Sequence, residues 1–131
     1  MKRLAWFALV IVVLGVGIAA LLLGGGRGPG SSTGGGMIEI VMEEMRFTPN
    51  RIDARVDQAI VLRLVNRGAQ RHDLIFPSLH MPGLEGQEAI LEPGETRTIS
   101  LRFDTPGEHT FLCSLPGHAA AGMTGAVFVR P

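Results

Sequence analysis

The chain has 131 residues, zero formal net charge, one cysteine and no tyrosine, enough for one ordinary domain and an appendage. A single cysteine excludes an internal disulfide framework. No basic stripe is interleaved with aromatics, so nucleic-acid binding has no support. All twelve acids but only nine of the twelve Lys and Arg fall in 37–131, which leaves that part acidic.

Met1-Lys2-Arg3 precedes Leu4 to Leu23, an apolar run without a charge. At about 1.5 Å rise per residue, roughly twenty such residues cross the ~30 Å hydrocarbon core. The two cations ahead of the run place the N-terminus in the cytoplasm. The apolar core of a cleavable signal peptide is ~7–15 residues long and ends in an A-x-A-like site. This run is longer and exits through Gly24-Gly25-Gly26. A retained transmembrane helix over 1–23 is therefore the expectation, with a cleaved signal as the alternative. Both place the remainder outside the cytoplasm, on the periplasmic or cell-surface side.

Residues 24–36, GGGRGPGSSTGGG, cannot bury apolar surface and read as a flexible linker, reaching roughly 5–6 Å × √n for n residues. The folded domain expected is 37–131. It reads as all-β. Ile38, Ile40 and Met42 alternate with Glu39, Val41 and Glu43, the period-two pattern of a half-buried strand. Ile60, Leu62 and Leu64 repeat it. His72 to Phe76 is a short apolar run, and Thr96 to Phe103 sets Ile99, Leu101 and Phe103 on one face. His109 to Cys113 and Ala126 to Val129 complete the predicted strands. Turn signals separate them at Thr48-Pro49-Asn50, Asn66-Arg67-Gly68, Glu92-Pro93-Gly94-Glu95 and Thr105-Pro106-Gly107. Pro77 to Gln87 is expected to be an irregular flap. Short strands punctuated this often imply a sandwich or barrel.

The chemistry concentrates in Cys113-Ser-Leu-Pro-Gly-His118-Ala-Ala-Ala-Gly-Met123, between the last two strands. Pro116-Gly117 lets that loop turn back, so three donors can surround one ion where a strand would splay them to alternate faces. Taken singly, each donor has an ordinary reading: Cys113 as a small buried hydrophobe, His72 as a core histidine, Met123 as filler. Jointly, a thiolate, two imidazoles and a thioether are the donors of a mononuclear blue-copper site, with His72 as the second imidazole. Structural zinc wants four firm ligands, commonly Cys₄ to Cys₂His₂, and no oxygen cluster for calcium or magnesium is evident. A Cys–His hydrolase would need an oxyanion hole and an orienting third residue, and nothing marks either. No catalytic residue and no enzyme activity are expected.

Over most of 37–131 the chain resembles the cupredoxin family of type 1 blue-copper proteins. The resemblance rests on Met45-Arg-Phe47-Thr-Pro49, Asn66 through His72, Pro93-Gly94-Glu95 and Pro106-Gly107-Glu-His-Thr-Phe111-Leu-Cys113. It continues through Gly117-His118 and Gly122-Met123-Thr-Gly125-Ala-Val-Phe-Val129. The Cys-x4-His-x4-Met spacing is similar to that of auracyanin-like members. The resemblance implies a Greek-key β-sandwich of seven or eight strands holding one copper ion near one end. His72, Cys113 and His118 would be the trigonal ligands and Met123 the axial one. A binuclear centre would need a second cysteine where Gly117 stands.

Two positions depart from the family pattern. Asp73 follows the first histidine where Asn is usual; it would accept hydrogen bonds from Ser114, and its charge would favour Cu(II). His109 stands where relatives often carry Tyr, too far along its strand from Cys113 to be a ligand. His80 and Met81, in the flap, are not expected to bind copper. The family further implies one-electron transfer between redox proteins, with His118 as the electron portal amid a docking patch of Leu115, Pro116, Ala119 and Ala120. The alternative is a copper-binding or copper-delivery module. Neither reading calls for a nucleic-acid partner or a small-molecule substrate.

Overall fold

The structure is a computed structural model and describes residues 31–33 and 36–131. The apolar run 4–23 and most of the expected linker lie outside the described residues. Among the described residues no helix is long and apolar enough to cross a membrane.

Alternation of apolar and polar residues builds two four-stranded sheets. In one, β2 (Met37–Glu43) lies between β3 (Arg46–Thr48) and β5 (Ala59–Asn66), and β6 (Thr96–Arg102) pairs with the far edge of β5. In the other the order is β1 (Ser31–Thr33), β4 (Arg51–Arg55), β8 (Thr124–Arg130) and β7 (Gly107–Leu112). Pairing is mixed. β2 runs parallel to β5, with Ile40 opposite Leu64, and β4 runs parallel to β8, with Ile52 opposite Val127. The β5–β6 and β7–β8 pairs are antiparallel.

Ile38, Ile40 and Met42 of β2 and Ile60, Leu62 and Leu64 of β5 point into the space between the sheets. They meet Ile52, Val127, Val129 and Phe111 from the other side. Full burial of one such side chain is worth about 1.5–3 kcal/mol, so this core is the main holding force. Phe111 is its hub: Phe47 and Phe76 pack edge-on against it, with centroids 5.2 and 5.8 Å away. All-β sandwich is thus the observed class.

Three features differ from the sequence-based expectation. Ser31–Thr33, inside the stretch expected to be linker, pairs in parallel with Arg51–Asp53 and extends the sheet by a strand. β3 and β4 go beyond that expectation: β3 is only three residues long, and the short alternation of β4 has an arginine at each end. Finally, His72 to Phe76 forms no strand. It crosses between the sheets, pinned by two isolated bridges, His72 to Leu91 and Ile75 to Leu112. A segment changing partners within four residues cannot keep one ladder. The Pro77–Gln87 flap is irregular, closing in a short 3-10 helix over Gly86–Ala89.

Candidate metal centre

The crossing segment decides where His72 sits. Its amide donates to Leu91 O at 3.2 Å and its carbonyl accepts from Leu91 N at 2.8 Å. Three residues on, Ile75 and Leu112 exchange two bonds of 3.0 Å each. His72 is therefore held beside the end of β7, where Cys113 begins the next loop. Asn66 shapes the approach. Buried at the end of β5, it donates through Nδ2 to Gln70 O at 2.8 Å and Leu91 O at 2.9 Å, and accepts from Gly68 N at 2.9 Å.

The loop from Cys113 to Met123 closes on itself. Gly117 has φ of 84°, a conformation that only glycine adopts without cost, and the chain then coils through one tight turn. His118 O accepts from Ala121 N at 3.1 Å and from Met123 N at 3.0 Å, and Cys113 N donates to Met123 O at 3.1 Å. Backbone bonds alone thus bring Met123 back beside Cys113. Both side chains are fully buried, and His118 is 7 % exposed.

The donor atoms of His72, Cys113 and His118 all lie within 4.8 Å of one another. Cys113 Sγ is 3.4 Å from His118 Nδ1, and the two imidazole rings are 5.1 Å apart, tilted by 58°. Both ring nitrogens of His72 are buried and hydrogen-bonded to nothing. A buried polar atom left unpaired ordinarily costs about 1–3 kcal/mol, which metal coordination would offset. Burial, followed by the neighbouring His118, holds the His72 imidazole below its usual pKa, so the ring is neutral and its lone pair free. Burial pushes the Cys113 thiol up. One sulfur and two imidazoles, buried and already converged, fit a copper ion better than zinc or a hard cation.

Asp73, also buried, braces the first turn of the loop. Its Oδ1 accepts the Ser114 amide at 2.6 Å and its Oδ2 accepts the Ser114 hydroxyl. Outside the cluster, a shallow depression of about 330 Å³ is lined by Gln70, Arg71, Leu115, Pro116 and His118. Pro116 and Ala120 are exposed, while Leu115 and Ala119 are half-buried. The remaining histidines stand apart. His109 Nε2 bonds Thr105 O at 3.0 Å and its ring packs on Phe103. Exposed His80 pairs with Glu85 at 2.6 Å, and Met81 is buried in the core.

Sequence reasoning gave no role to two residues near the centre. Asn66 carried a usable signal, since Asn-x-Gly is an Asx-turn pattern. Glu44 carried none. It sits in the β2–β3 turn and reaches the His72 loop only through the folded structure: its carboxylate accepts the Ala69 amide at 2.5 Å and the Gln70 amide at 3.0 Å.

Comparison with known proteins agrees with this geometry. A family model described as a cupredoxin-like domain matches residues 11–124. Auracyanin-B of Chloroflexus aurantiacus is 36% identical over 73 residues, which cover 54% of this chain and 31% of that protein. The copper-resistant cuproprotein CopI of Rubrivivax gelatinosus is 29% identical over 108 residues, covering 71% of this chain and 66% of CopI. The chain therefore spans less than two thirds of either relative. Among solved structures, reduced auracyanin from Roseiflexus castenholzii superposes with a TM-score of 0.63 at 24% identity. That match covers 78% of this chain and 100% of the other. It shows the fold.

Proposed function

The chain belongs to the cupredoxin-like domain family, and from that premise we propose that it is a one-electron carrier with a mononuclear type 1 copper centre. The observation that carries the proposal is the buried His72–Cys113–His118 cluster, with donor atoms within 4.8 Å of one another. His72, Cys113 and His118 would hold the ion, and Met123, buried beside Cys113, would supply a weak thioether. Copper, when bound, supplies a couple between Cu(I) and Cu(II).

The protein's residues do the rest. Cys113 would hold the ion as a thiolate, its proton, which burial otherwise keeps on the sulfur, passing to solvent. The neutral His72 ring needs no deprotonation to donate. Because the loop is closed by its own backbone bonds, the donors stand in place before any ion arrives and have little reason to move when its charge changes. Asp73 fixes Ser114, and with it the direction in which Cys113 presents its sulfur. His118, with a small part of its surface exposed, is the shortest route outward. Leu115, Pro116, Ala119 and Ala120 around it form an uncharged patch suited to brief docking. Redox encounters of this kind bury less than about 1,200 Å².

The partners are a transient electron donor and acceptor, both redox proteins. Residues 1–23 serve as membrane anchor and 24–30 as linker to the domain, whose sheet begins with Ser31–Thr33, on the extracytoplasmic side. Such a tether raises the effective concentration near membrane complexes. The chain is a carrier and not an enzyme. Copper-loaded protein is expected to show an intense thiolate-to-copper band in the red part of the visible spectrum, lost in Cys113→Ser. A chain that stays colourless with Cu(II) overturns the proposal.

A second reading, copper binding or delivery in copper resistance, is favoured by the similarity to CopI. Reversible one-electron voltammetry supports the carrier. Transfer of copper to an apo-acceptor, without a reversible couple, supports delivery.

A further inference from the structure

The turn between β2 and β3 is two residues long, Glu44-Met45, and Met45 takes the left-handed conformation with φ of 61°. The turn sets the Glu44 carboxylate over the loop that leads to His72. The oxygen that accepts the Ala69 and Gln70 amides also lies 3.9 Å from His72 Nε2. Gly68 fills the space beside them. A Cβ there would stand 2.6 Å from Glu44 Oε1 and 2.9 Å from His72 Nε2. Gly68 does not have the positive φ seen at other glycines of the chain, so room, not backbone conformation, is what a glycine provides here. The missing side chain lets a carboxylate and a buried imidazole face each other.

We propose that Glu44 is the positioning residue of His72: its carboxylate takes the Nε2–H hydrogen bond and leaves Nδ1 as the metal-facing nitrogen. The inference rests on the reading of His72 as a ligand. A gap of 3.9 Å is too long for a direct bond. A small swing of the half-exposed Glu44 side chain closes it. Asp73, the next residue, is committed to Ser114 through both oxygens. Glu44 is thus the carboxylate placed to serve the Nε2 side of the ring. A carboxylate behind a ligating histidine fixes the ring's tautomer and makes it a stronger donor, with effects of roughly 10–100-fold on metal affinity. Cu(II), the more charged ion, gains more from it than Cu(I).

The test uses the full chain and two variants, Glu44→Gln and Gly68→Ala. Nitrogen-15 NMR of the metal-free wild type is expected to show His72 as the Nε2–H tautomer; an Nδ1–H tautomer overturns the proposal. With copper bound, Glu44→Gln is expected to weaken Cu(II) roughly tenfold relative to Cu(I), equivalent to a rise of about 59 mV in a one-electron potential. Gln keeps an acceptor oxygen for Ala69 and Gln70, so a residue that only holds the loop would leave the potential unchanged, and that result also overturns the proposal. Gly68→Ala, which forces the two groups apart with Glu44 still present, is expected to raise the potential in the same direction; a wild-type potential counts against the proposal. A chain that binds no copper would instead defeat the functional reading, while the metal-free NMR still decides the role of Glu44.

Discussion

Ser114 and Asp73, 41 positions apart, are joined twice, by a backbone amide to Oδ1 at 2.6 Å and by a hydroxyl to Oδ2. The double contact ties the residue after His72 to the residue after Cys113, so two donors from different parts of the chain share one brace.

That brace makes a prediction about charge. Asp73→Asn can keep the bond to the Ser114 amide and reverse the one to its hydroxyl. It is expected to fold normally, with the copper potential raised by loss of the anion, on the order of one 59 mV step. Asp73→Ala removes both acceptors. Hydrogen bonds to charged groups contribute about 1.5–3 kcal/mol, so urea unfolding is expected to show a loss of about that size.

Gly125 supports the centre from below. It pairs with Phe111 across β7 and β8, and a Cβ there would fall 2.3 Å from Phe111 Cζ and 2.6 Å from Asn50 O. The backbone oxygen cannot step aside, and the ring is wedged among Phe47 and Phe76. Gly125→Ala is expected to cost about 1–3 kcal/mol by overpacking, measured as a lower denaturation midpoint.

Loading should be visible as stability. A ligand that binds only the folded state adds about 2.7 kcal/mol at a hundred times its dissociation constant. Copper is expected to raise the unfolding midpoint of wild type accordingly and a chelator to reverse it. Cys113→Ser, nearly isosteric and within reach of His118 Nδ1, should fold yet show little of that gain.

Acid should weaken the turn that backs Asn66. Glu95 Oε2 accepts the Glu92 amide at 2.9 Å and Oε1 accepts from Arg97 at 2.9 Å. These contacts, the amide first, hold the Glu95 carboxyl below its ordinary value. A lowered folded-state value means stability that is fully present above the unfolded-state value and lost as pH falls through the folded one. Wild type is therefore expected to exceed Glu95→Gln in stability at neutral pH, with the difference shrinking in acid. Denaturant titrations of both proteins at several pH values measure it.

The sequence made some of this plain and hid the rest for physical reasons. Alternation at Ile38, Ile40 and Met42 is a local property, and β2 could be read from it directly. β4 has the same alternation in Ile52 and Ala54, but over so few residues that the flanking arginines masked it. His72 to Phe76 looked like a strand because it is apolar, yet its hydrogen bonds go to Leu91 and Leu112 in different parts of the fold. Apolarity reports burial, not pairing. The donors of the last loop were legible because they sit close in sequence. Glu44 was not, since its meeting with Gly68 and His72 exists only once β2 lies against β5.

The partner-changing segment at His72 has a consequence for the order of events. His72 comes near Cys113 only when Ile75 docks on Leu112, a junction between distant stretches of chain, and such non-local contacts form slowly. Cys113, His118 and Met123 can gather early and locally. The second imidazole cannot. A complete donor set therefore certifies that the two sheets have closed, and binding of an ion there would be the final checkpoint of assembly.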